Sequence, residues 1–528
     1  MKKIILGAAG IIAAVLASPN AQAQQRGGTL VMVTEPEQAT LASYMSTSAS
    51  TQQITSKIFD GLLEYGPDLK PRPSLAKSWE VSPDGLTITF KLQDGVTFHD
   101  GQPLTSEDVR FSIMDVLKVV NPRGMSTFRT VKAVETPDAQ TVVMRLDAPS
   151  PALLMALSSS ESPIIPKHIY GTGDLRSHPR ANEPIGSGPF KFVEWRKGQF
   201  VRLDRNPNYW KPGRPYLDRI VIRTISDPGT RTAAIEKGEV QMAGTAAVPL
   251  GDYKRLLANP SLEVTTRSHE LISPVSEIMF NMKRKPFDDV RVRKAIAYAL
   301  DRQFILDTIW FGAGKVATGP ISSNFAPSGL YSDAVEIYQQ PDGVERANKL
   351  LDEAGYPRKE DGIRFTITHD VMPYGSTWAQ LGEYVVQALG KVGIKVVLRQ
   401  EDQPRWLKRI FTDYDFDTSS TYAFNLADPV IGVQRFIDSA SIKPGTVFVN
   451  ATRFSNPRVD ELLRLAATEN DQTKRGAYYA EVQKIVAEEV PSAYLLELNF
   501  PVAINKQFVD VLTTPLGTYG NFDSAWKK

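Results

Sequence analysis

A short stretch in the second half of the chain holds side chains well suited to binding a small molecule. Tyr422, Asn425 and Asp428 fall within seven residues, directly after a segment, Asp415 to Ser420, that is predicted as a strand. A phenol, an amide and a carboxylate together supply donors and acceptors of hydrogen bonds. Asp428 also precedes Pro429, and an aspartate there is equally well explained as a turn residue.

A second candidate group surrounds His369, which is followed by Asp370, Tyr374 and Trp378. The loop from His369 to Thr377 is predicted to follow a strand. Aromatic residues on such loops commonly line ligand pockets. For His369 a structural role is as well supported as ligand contact. For Tyr374, Trp378 and Tyr422, pocket lining and core packing stay equally open.

No catalytic or metal-binding motif stands out. The chain has no G-x-S-x-G motif for a nucleophilic serine, and Gly186-Ser187-Gly188 resembles it only superficially. Gly314-Lys315 lacks the remaining residues of a phosphate-binding loop. No H-E-x-x-H motif occurs, and the histidines are scattered, at His99, His168, His178, His269 and His369. The sequence therefore predicts no catalytic residues, no metal and no cofactor.

The elements around the candidate loops read as a strand, a helix and a second strand. Ile363, Phe365 and Ile367 alternate, Leu381, Val385, Leu389 and Val392 have helical spacing, and Ile394, Val396 and Leu398 alternate again. This order predicts a parallel pair with a right-handed crossover. Because ligands bind beyond the carboxyl ends of parallel strands, the loops from His369 and from Tyr422 are expected at one such edge.

Other segments predict further elements. The expectations are a strand at 29–33, a helix at 54–65, a hairpin through 86–92, a helix opened by a Thr105/Asp108 capping box, a strand at 220–225, and helices at 230–236, 292–300 and 344–354, the last capped by Gly355.

Composition limits the class of protein. With 528 residues the chain is long enough for two or three domains. A net charge of only +2 argues against nucleic acid as a partner, because such a partner needs a clustered positive surface. There is no cysteine, so neither a disulfide nor an N-terminal lipid on a thiol is possible.

The first 23 residues predict export. Met1-Lys2-Lys3 is cationic, residues 4–17 are mainly apolar, and Ala21-Gln22-Ala23 has the form of a signal-peptidase site. We expect a signal peptide over residues 1–23, cleaved after Ala23, and a mature protein in the periplasm that is not lipid-anchored.

Several motifs together resemble the peptide- and nickel-binding family of solute-binding proteins of ABC importers, family 5. They come in the family's order and span nearly the whole mature chain: residues 100–109 (DGQPLTSEDV), 185–190 (IGSGPF), 205–210 (RNPNYW), 289–296 (DVRVRKAI), 301–302 (DR) and 354–356 (AGY).

The resemblance implies an α/β, two-lobed periplasmic binding protein of type II (the large cluster C), with an extra subdomain inserted in lobe one and a hinge between the lobes. Lobe one would comprise residues 24–268 and 500–528, with the inserted subdomain at about 57–178, and lobe two residues 269–499. The protein would not be an enzyme. It would be a monomer that captures a small peptide-like solute and delivers it to a permease and ATPase complex in the inner membrane.

The chain departs from the pattern of the dipeptide and oligopeptide binders at both charged anchors. Where those proteins resemble one another in an aspartate that holds the ammonium group, three residues before a D-P or E-P pair, this chain has Asn425. The arginine that some dipeptide binders use for the carboxylate falls near Met372. We therefore expect a ligand other than a free dipeptide, such as a blocked peptide, an opine-like conjugate or a small glycoside.

The expected ligand-binding residues are Asn425, Asp428, Tyr422, His369 and Tyr374 from lobe two, with Glu35 and Thr47 on the first loop of lobe one. Two other classes remain open: a secreted or periplasmic hydrolase, and a ligand-sensing protein on the same scaffold that signals to a membrane receptor.

Overall fold

The computed structural model describes residues 24–66, 70–244, 247–266, 271–335 and 338–528. The predicted signal peptide, His269 and the predicted boundary between the lobes at 268/269 lie outside the described residues. In the part described, no helix is long and apolar enough to cross a membrane.

The predicted first strand, Thr29–Val33, is confirmed and lies at the centre of a seven-stranded sheet. It pairs in parallel with Arg219–Arg223 on one side and Met242–Ala243 on the other. Almost all of this sheet is built from the first half of the chain, but one strand comes from near the carboxyl terminus. The order across the sheet is Leu262–Thr265, Val502–Asn505, Met242–Ala243, Thr29–Val33, Arg219–Arg223, Phe200–Arg205 and Phe190–Arg196.

A four-stranded antiparallel sheet is inserted between the first strand and the rest of the first sheet. Its order is Ala76–Val81, Thr87–Leu92, Thr141–Leu146 and Val131–Asp138, so the predicted hairpin is confirmed. The predicted capping box is also present: Thr105 and Asp108 open the helix Ser106–Arg110, which continues as a π-helical segment, Phe111–Leu117. This sheet has its own apolar core, separate from that of the seven-stranded sheet.

The predicted helix at 54–65 is wrong. The chain forms the helix Ala49–Thr55, an irregular stretch, and the strand Leu63–Tyr65. Tertiary packing overrides the helical pattern here. The backbone at Gly61 lies so close to residues 157–159 that an added Cβ would be 2.4 Å from the carbonyl oxygen of Leu157. The buried carboxylate of Asp60 meanwhile accepts hydrogen bonds from Ser187, Tyr209 and Trp210.

The second large sheet has six strands, all from the second half of the chain. Their order is Gly314–Val316, Ser492–Leu498, Pro274–Phe280, Thr418–Phe424, Phe365–Asp370 and Ile394–Arg399. Phe365–Asp370 and Ile394–Arg399 are parallel and are joined by the helix Ser376–Lys391, so the predicted strand, helix and strand unit is confirmed. Thr418–Phe424 is parallel to Phe365–Asp370 as well.

Helices cover the sheets. The longer ones are Pro228–Glu236, Val290–Ala299, Gly343–Glu353, Ser376–Lys391, Pro457–Thr468 and Gln472–Glu489. Shorter ones include Gly124–Thr127, Lys167–Tyr170, Tyr253–Leu257, Gln403–Lys408, Pro429–Gly432 and Gln434–Ile437. The two large sheets have separate apolar cores, so the fold is α/β with two lobes.

The lobes touch at a restricted set of places. The helix Pro429–Gly432 of the six-stranded half contacts the helix Gly124–Thr127 of the inserted part. Tyr519, from the carboxyl-terminal segment, packs with the core of the six-stranded half. The chain passes between the halves before the strand Pro274–Phe280 and after Ser492–Leu498. These contacts enclose a cleft between the two sheets.

Candidate functional site

A narrow pocket lies where the two lobes meet, and the free space in it is only about 10 Å³, room for no more than a water-sized molecule. Three parts of the chain line it: the helix Ala49–Thr55 and the carboxyl-terminal segment on one side, the inserted part above, and the end of the strand Thr418–Phe424 opposite. The lining residues are Gln52, Met155, Ser160, Glu161, Leu271, Ile272, Phe424, Leu426, Ala427, Ile431, Leu516 and Tyr519. A site contributed by both lobes can bind a ligand more tightly when the lobes are together.

Aromatic side chains of the six-stranded half pack together beside the pocket and are called the aromatic wall here; of this group, Phe424 lines the pocket itself. The ring of Tyr422 stacks on Trp378 with centroids 5.8 Å apart, and it meets Tyr374 edge-on at 6.1 Å. Phe424, two residues further along the strand, meets Tyr519 of the other half edge-on at 6.3 Å. Two of the sequence candidates, Tyr374 and Tyr422, are therefore brought together, and Trp378 packs with them.

The hydroxyl groups of this aromatic wall are held neutral. Burial raises the pKa of Tyr374 to about 12, although the amide of Gln403 donates a hydrogen bond to its hydroxyl at 2.7 Å. Burial also raises the pKa of Tyr422 well above its usual range. Neutral phenols and indoles suit apolar groups and sugar faces of a ligand better than they suit charges.

The helix Ala49–Thr55 presents two glutamines on the opposite side. Gln52 is fully bonded: its Nε2 donates to the Ser160 carbonyl at 2.7 Å, and its Oε1 accepts from Arg123 at 3.0 Å. Gln53 is completely buried, yet neither its amide oxygen nor its amide nitrogen has a hydrogen-bond partner. The buried hydroxyl of Tyr519 lies beside Gln53, whose side chain partly offsets the rise that burial causes in the pKa of this phenol, but the two groups fall short of hydrogen-bonding geometry and the hydroxyl has no other partner among the described residues.

Two neighbouring parts of the structure fix the positions of Gln53 and Tyr519. Gly244, directly after the strand Met242–Ala243, allows Gln53 to approach the sheet, because a Cβ at Gly244 would be 2.6 Å from Gln53 Oε1. The buried ammonium group of Lys57 donates to the carbonyls of Thr518 and Gly520, at 2.6 and 2.8 Å, and so holds the segment that carries Tyr519. Unpaired buried polar atoms are rare in folded proteins and mark places where a ligand or water completes the site.

Three charged side chains meet at the upper end of the pocket. Arg123 and Glu161 form a buried ion pair, and Arg123 also donates to the carbonyl of Thr47 at 3.2 Å. Arg435, in the short helix Gln434–Ile437, is within electrostatic reach of both. Its own burial and the charge of Arg123 lower the pKa of Arg435 to about 9, so it stays charged at neutral pH.

Asn425 and Asp428, which the sequence predicts to bind ligand, have hydrogen-bond partners within their own half. Asn425 is fully buried, accepts a hydrogen bond from the Ser322 backbone at 2.6 Å, and donates to the Pro320 carbonyl at 3.0 Å. Asp428 caps the helix Pro429–Gly432 and pairs with both terminal nitrogens of Arg475, at 2.6 and 2.7 Å. Of the two roles open for Asp428, the structure shows the structural one.

His369 is also placed away from the cleft. It pairs with Thr418, at the start of the strand that reaches the cleft, so it lies four residues, or about 13 Å, behind Tyr422. Its Nδ1 is 2.9 Å from the Thr418 hydroxyl, its Nε2 is buried without a partner, and burial lowers its pKa to about 3. His369 lies this far from Tyr422 because the strand Thr418–Phe424 continues past the predicted end at Ser420.

Glu35 and Thr47 lie near the lobe-one side of the cleft but have partners there. Glu35 accepts a hydrogen bond from Arg231 at 2.8 Å, and burial raises its pKa although Arg231 opposes this. Thr47 contributes its carbonyl to Arg123. Neither contacts the aromatic wall in the described interactions.

Six polar residues in or beside the cleft were not predicted from the sequence: Gln52, Gln53, Arg123, Glu161, Arg435 and Tyr519. One of them did carry a signal. Arg435 follows the apolar run Val430-Ile431-Gly432-Val433 closely, and a charged residue in such a run indicates either a buried ion pair or a binding site. The others lie in loops or short helices whose approach depends on the tertiary fold.

The described residues contain no group of three or more histidine, aspartate or glutamate side chains that could hold a metal ion. The cleft presents neutral phenols, amides and a guanidinium, and these are groups that bind and orient a solute.

Comparisons with known proteins show which family the chain belongs to. Residues 70–441 match the family described as "Bacterial extracellular solute-binding proteins, family 5 Middle". The oligopeptide-binding protein AppA of Bacillus subtilis (strain 168) is 28% identical over 534 residues, covering 97% of this chain and 93% of AppA. The glutathione-binding protein GsiB of Pectobacterium atrosepticum is 27% identical, covering 98% of this chain and 97% of GsiB.

Solved structures of similar proteins have the same fold over at least 95% of this chain. The structure of AppA from Bacillus subtilis in complex with a nonapeptide superimposes with a TM-score of 0.83 at 27% identity, covering 96% of this chain and 100% of that one. The binding protein AgaA of A. tumefacien R10, in complex with agropinic acid, superimposes with a TM-score of 0.81 at 28% identity, covering 95% and 99%.

Proposed function

Because the chain belongs to the bacterial extracellular solute-binding proteins of family 5, as its motifs predicted, we propose that it captures a small solute between its two lobes and delivers it to the permease of an ABC importer. The protein acts as a carrier without catalysis of its own. Its cargo is peptide-like or chemically related, in line with the oligopeptide, glutathione and agropinic acid named for its relatives.

The observation that carries this proposal is a pair of adjacent buried polar side chains, Tyr519, which lines the cleft, and Gln53 behind it. Both amide atoms of Gln53 and the hydroxyl of Tyr519 are buried without hydrogen bonds. Leaving such a group unsatisfied costs about 1–3 kcal/mol. A solute that hydrogen-bonds them while stacking on Tyr422 and Tyr374 removes this cost.

The lobes close over the solute by a hinge. Lobe one comprises residues 24–268 and 500–528, with an inserted subdomain at about 57–178, and lobe two comprises residues 269–499. Closure is driven only by contacts that the solute makes with both lobes at once. The distribution of strands among the sheets supports this division, since Val502–Asn505 returns to the first sheet.

A free dipeptide is not the preferred cargo. The amide of Asn425 stands where dipeptide binders use a carboxylate for the ammonium group, and both polar atoms of that amide are already bonded to residues 320 and 322. Met372 is buried and apolar at the place of the other anchor. We propose a blocked peptide, an opine-like conjugate or a small glycoside, held by Tyr374 and Tyr422.

The cellular setting follows from the same proposal. The chain is exported, cleaved after Ala23, and works as a free monomer in the periplasm, where it meets a permease and ATPase complex. A receptor that signals instead of transporting is the alternative partner, and a hydrolase is the alternative activity. Genes for a permease and an ATPase beside this one would favour import.

The test is calorimetry with a panel of peptides, N-acetylated peptides, glutathione and agropinic acid, with the product mixture examined for turnover. We expect one solute per chain, no turnover, and a stability gain of about 2.7 kcal/mol at 100 times its dissociation constant. Hydrolysis of a bound solute would support the hydrolase instead.

A pair of glutamine variants locates the site. Gln53→Leu removes the unpartnered amide, so we expect it to weaken binding at least tenfold while the ligand-free protein keeps its stability. Gln199→Leu changes an exposed glutamine of the first sheet and serves as the control, with unchanged binding. Equal affinity of the two variants would place the solute elsewhere.

A further inference from the structure

We propose that Arg435 binds a carboxylate group of the solute, so that the cargo of this protein is an organic acid without a free ammonium group. The proposal rests on the proposed function and names a ligand class for it.

Two of the three guanidinium nitrogens of Arg435 are buried without hydrogen bonds. The residue is 5% exposed, and its Nε and Nη1 atoms are inaccessible and have no hydrogen-bond partner. Among the described residues its only close ring contact is Phe436, with the guanidinium carbon 4.7 Å from the ring centroid. A buried charge without a partner is costly, and a carboxylate that receives two parallel hydrogen bonds is the natural complement of a guanidinium.

The second argument is a comparison with other buried arginines of the same lobe. Arg293 donates to the carbonyls of Phe287, Glu489 and Val490. Arg475 forms a bidentate ion pair with Asp428. The fold thus supplies acceptors where a buried arginine serves structure, but it supplies none to Arg435 in the described part of the chain.

The third argument is the position of Arg435 at the cleft. Arg435 follows Ile431, which lines the pocket, and it is electrostatically coupled to Glu161, which lines the pocket from the inserted part. Glu161 is already paired with Arg123. Arg435 has no ion pair of its own among the described residues, since Glu161, the acidic group coupled to it, is shared with Arg123. Glu270 lies outside the described residues.

The other polar groups of the cleft indicate that the remainder of the ligand is uncharged. No described carboxylate in the cleft is free to hold an ammonium group, because Glu161 is paired with Arg123 and Asp428 with Arg475. The phenols of Tyr374 and Tyr422 and the amide of Gln53 complement uncharged parts. The site therefore suits an acid whose nitrogen is acylated or otherwise uncharged.

The experiment compares matched acids and amides by calorimetry at pH 7. The probes are N-acetyl-Met-Leu, N-acetyl-Met-Leu amide, free Met-Leu, agropinic acid and any small molecule released by unfolding the purified protein and identified by mass spectrometry. We expect the tightest probe to carry a carboxylate, its amide counterpart to bind at least about 30-fold more weakly, and Arg435→Met to remove that difference.

A second readout separates a binding role from a structural one. In urea unfolding without ligand, we expect Arg435→Met to be at least as stable as the wild type, because an unpaired charge is removed. Arg293→Met is the matched control and should be clearly destabilised, because it leaves three carbonyls without a donor. Arg435→Lys, which keeps the charge but loses the planar fork, should bind the acid with intermediate affinity.

The outcomes are distinct. Tight binding of an uncharged solute, equal affinity for acid and amide, or unchanged acid binding by Arg435→Met would overturn the role of Arg435 and leave solute binding intact. A protein that retains no small molecule and binds none of the probes would overturn both proposals.

Discussion

Two carboxyl groups in the second lobe are buried under very different conditions. Asp428 receives two hydrogen bonds from Arg475, so its charge is matched. Glu277, in the middle of the strand Pro274–Phe280, has no cationic partner among the residues that the structure describes, and burial raises its pKa to about 7 although Ser492 donates a hydrogen bond to it. At the scale of the residue, partners decide whether a buried charge supports the fold or opposes it.

Replacing Asp428 tests the structural role of the buried pair. Asp428→Asn leaves the charge of Arg475 buried and unmatched, so we expect a loss of about 3–5 kcal/mol in the free energy of unfolding in urea. Glu481→Gln, in an exposed pair with Arg458, is the control and should cost less than about 1 kcal/mol. A stable Asp428→Asn variant with weakened solute binding would instead make Asp428 a ligand residue.

Glu277 makes stability depend on pH. The unfolded carboxyl titrates near 4.5 and the folded one near 7, so the folded chain holds an extra proton between these values, and its stability falls as pH rises through this window. We expect Glu277→Gln to be more stable than the wild type at pH 8, by about 3 kcal/mol at most, and equal to it near pH 4. Urea unfolding at both pH values measures this, with the exposed Glu239→Gln as control. A stability difference between Glu277→Gln and the wild type that is the same at pH 4 and at pH 8 would show that Glu277 does not hold an extra proton in the folded chain.

At the scale of the element, periodicity and capping predicted those strands and helices whose local spacing is clear. The strand Thr29–Val33, the capping box at Thr105 and the parallel strands around the helix Ser376–Lys391 follow from the residues themselves. The predicted helix at 54–65 failed because the close approach at Gly61 and the hydrogen bonds to Asp60 come from distant segments.

The candidate site was predicted less completely than the fold. Tyr374 and Tyr422 were found because they flank predicted strand ends. Arg123, Glu161 and Gln53 were not, because their positions depend on how the inserted part and the first lobe face the second. Asn425 and Asp428 have the right chemistry for a ligand, but tertiary partners that no spacing reveals, Ser322 and Arg475, engage them.

Gly244 tests how the first sheet positions the polar side of the cleft. A methyl group there would be 2.6 Å from Gln53 Oε1 and 3.1 Å from the Val33 carbonyl, so Gln53 must move. We expect Gly244→Ala to weaken solute binding at least tenfold in calorimetry, with a change of less than about 1 kcal/mol in unfolding free energy because the displaced atom ends a flexible side chain. Gly229→Ala, at an exposed helix position, is the control. Unchanged affinity would show that Gln53 does not touch the solute.

At the scale of the whole molecule, two lobes, each with a large sheet and its own main apolar cluster, meet around a cleft that both line. The lobes also contact each other directly, because Tyr65, Ala152, Ala156 and Tyr519 of the first lobe pack with the core of the second. On the proposed function, a solute favours the closed form by the contacts that it adds to both sides.

Closure predicts a change in shape on binding. We expect small-angle scattering to give a smaller radius of gyration with saturating solute than without it. Intermediate solute concentrations should give mixtures of these two forms only. Gln53→Leu should need at least ten times more solute than the wild type to reach the smaller radius. An identical radius with and without a tightly bound solute would mean that the cleft is filled without hinge motion.

The most direct test of solute capture is native mass spectrometry of the protein purified from its own cells. The account predicts the mass of one chain plus one small molecule, which is released when the protein unfolds and restores the complex when it is added back. A bare chain that none of the tested solutes binds, or a complex whose solute is chemically converted, would contradict it.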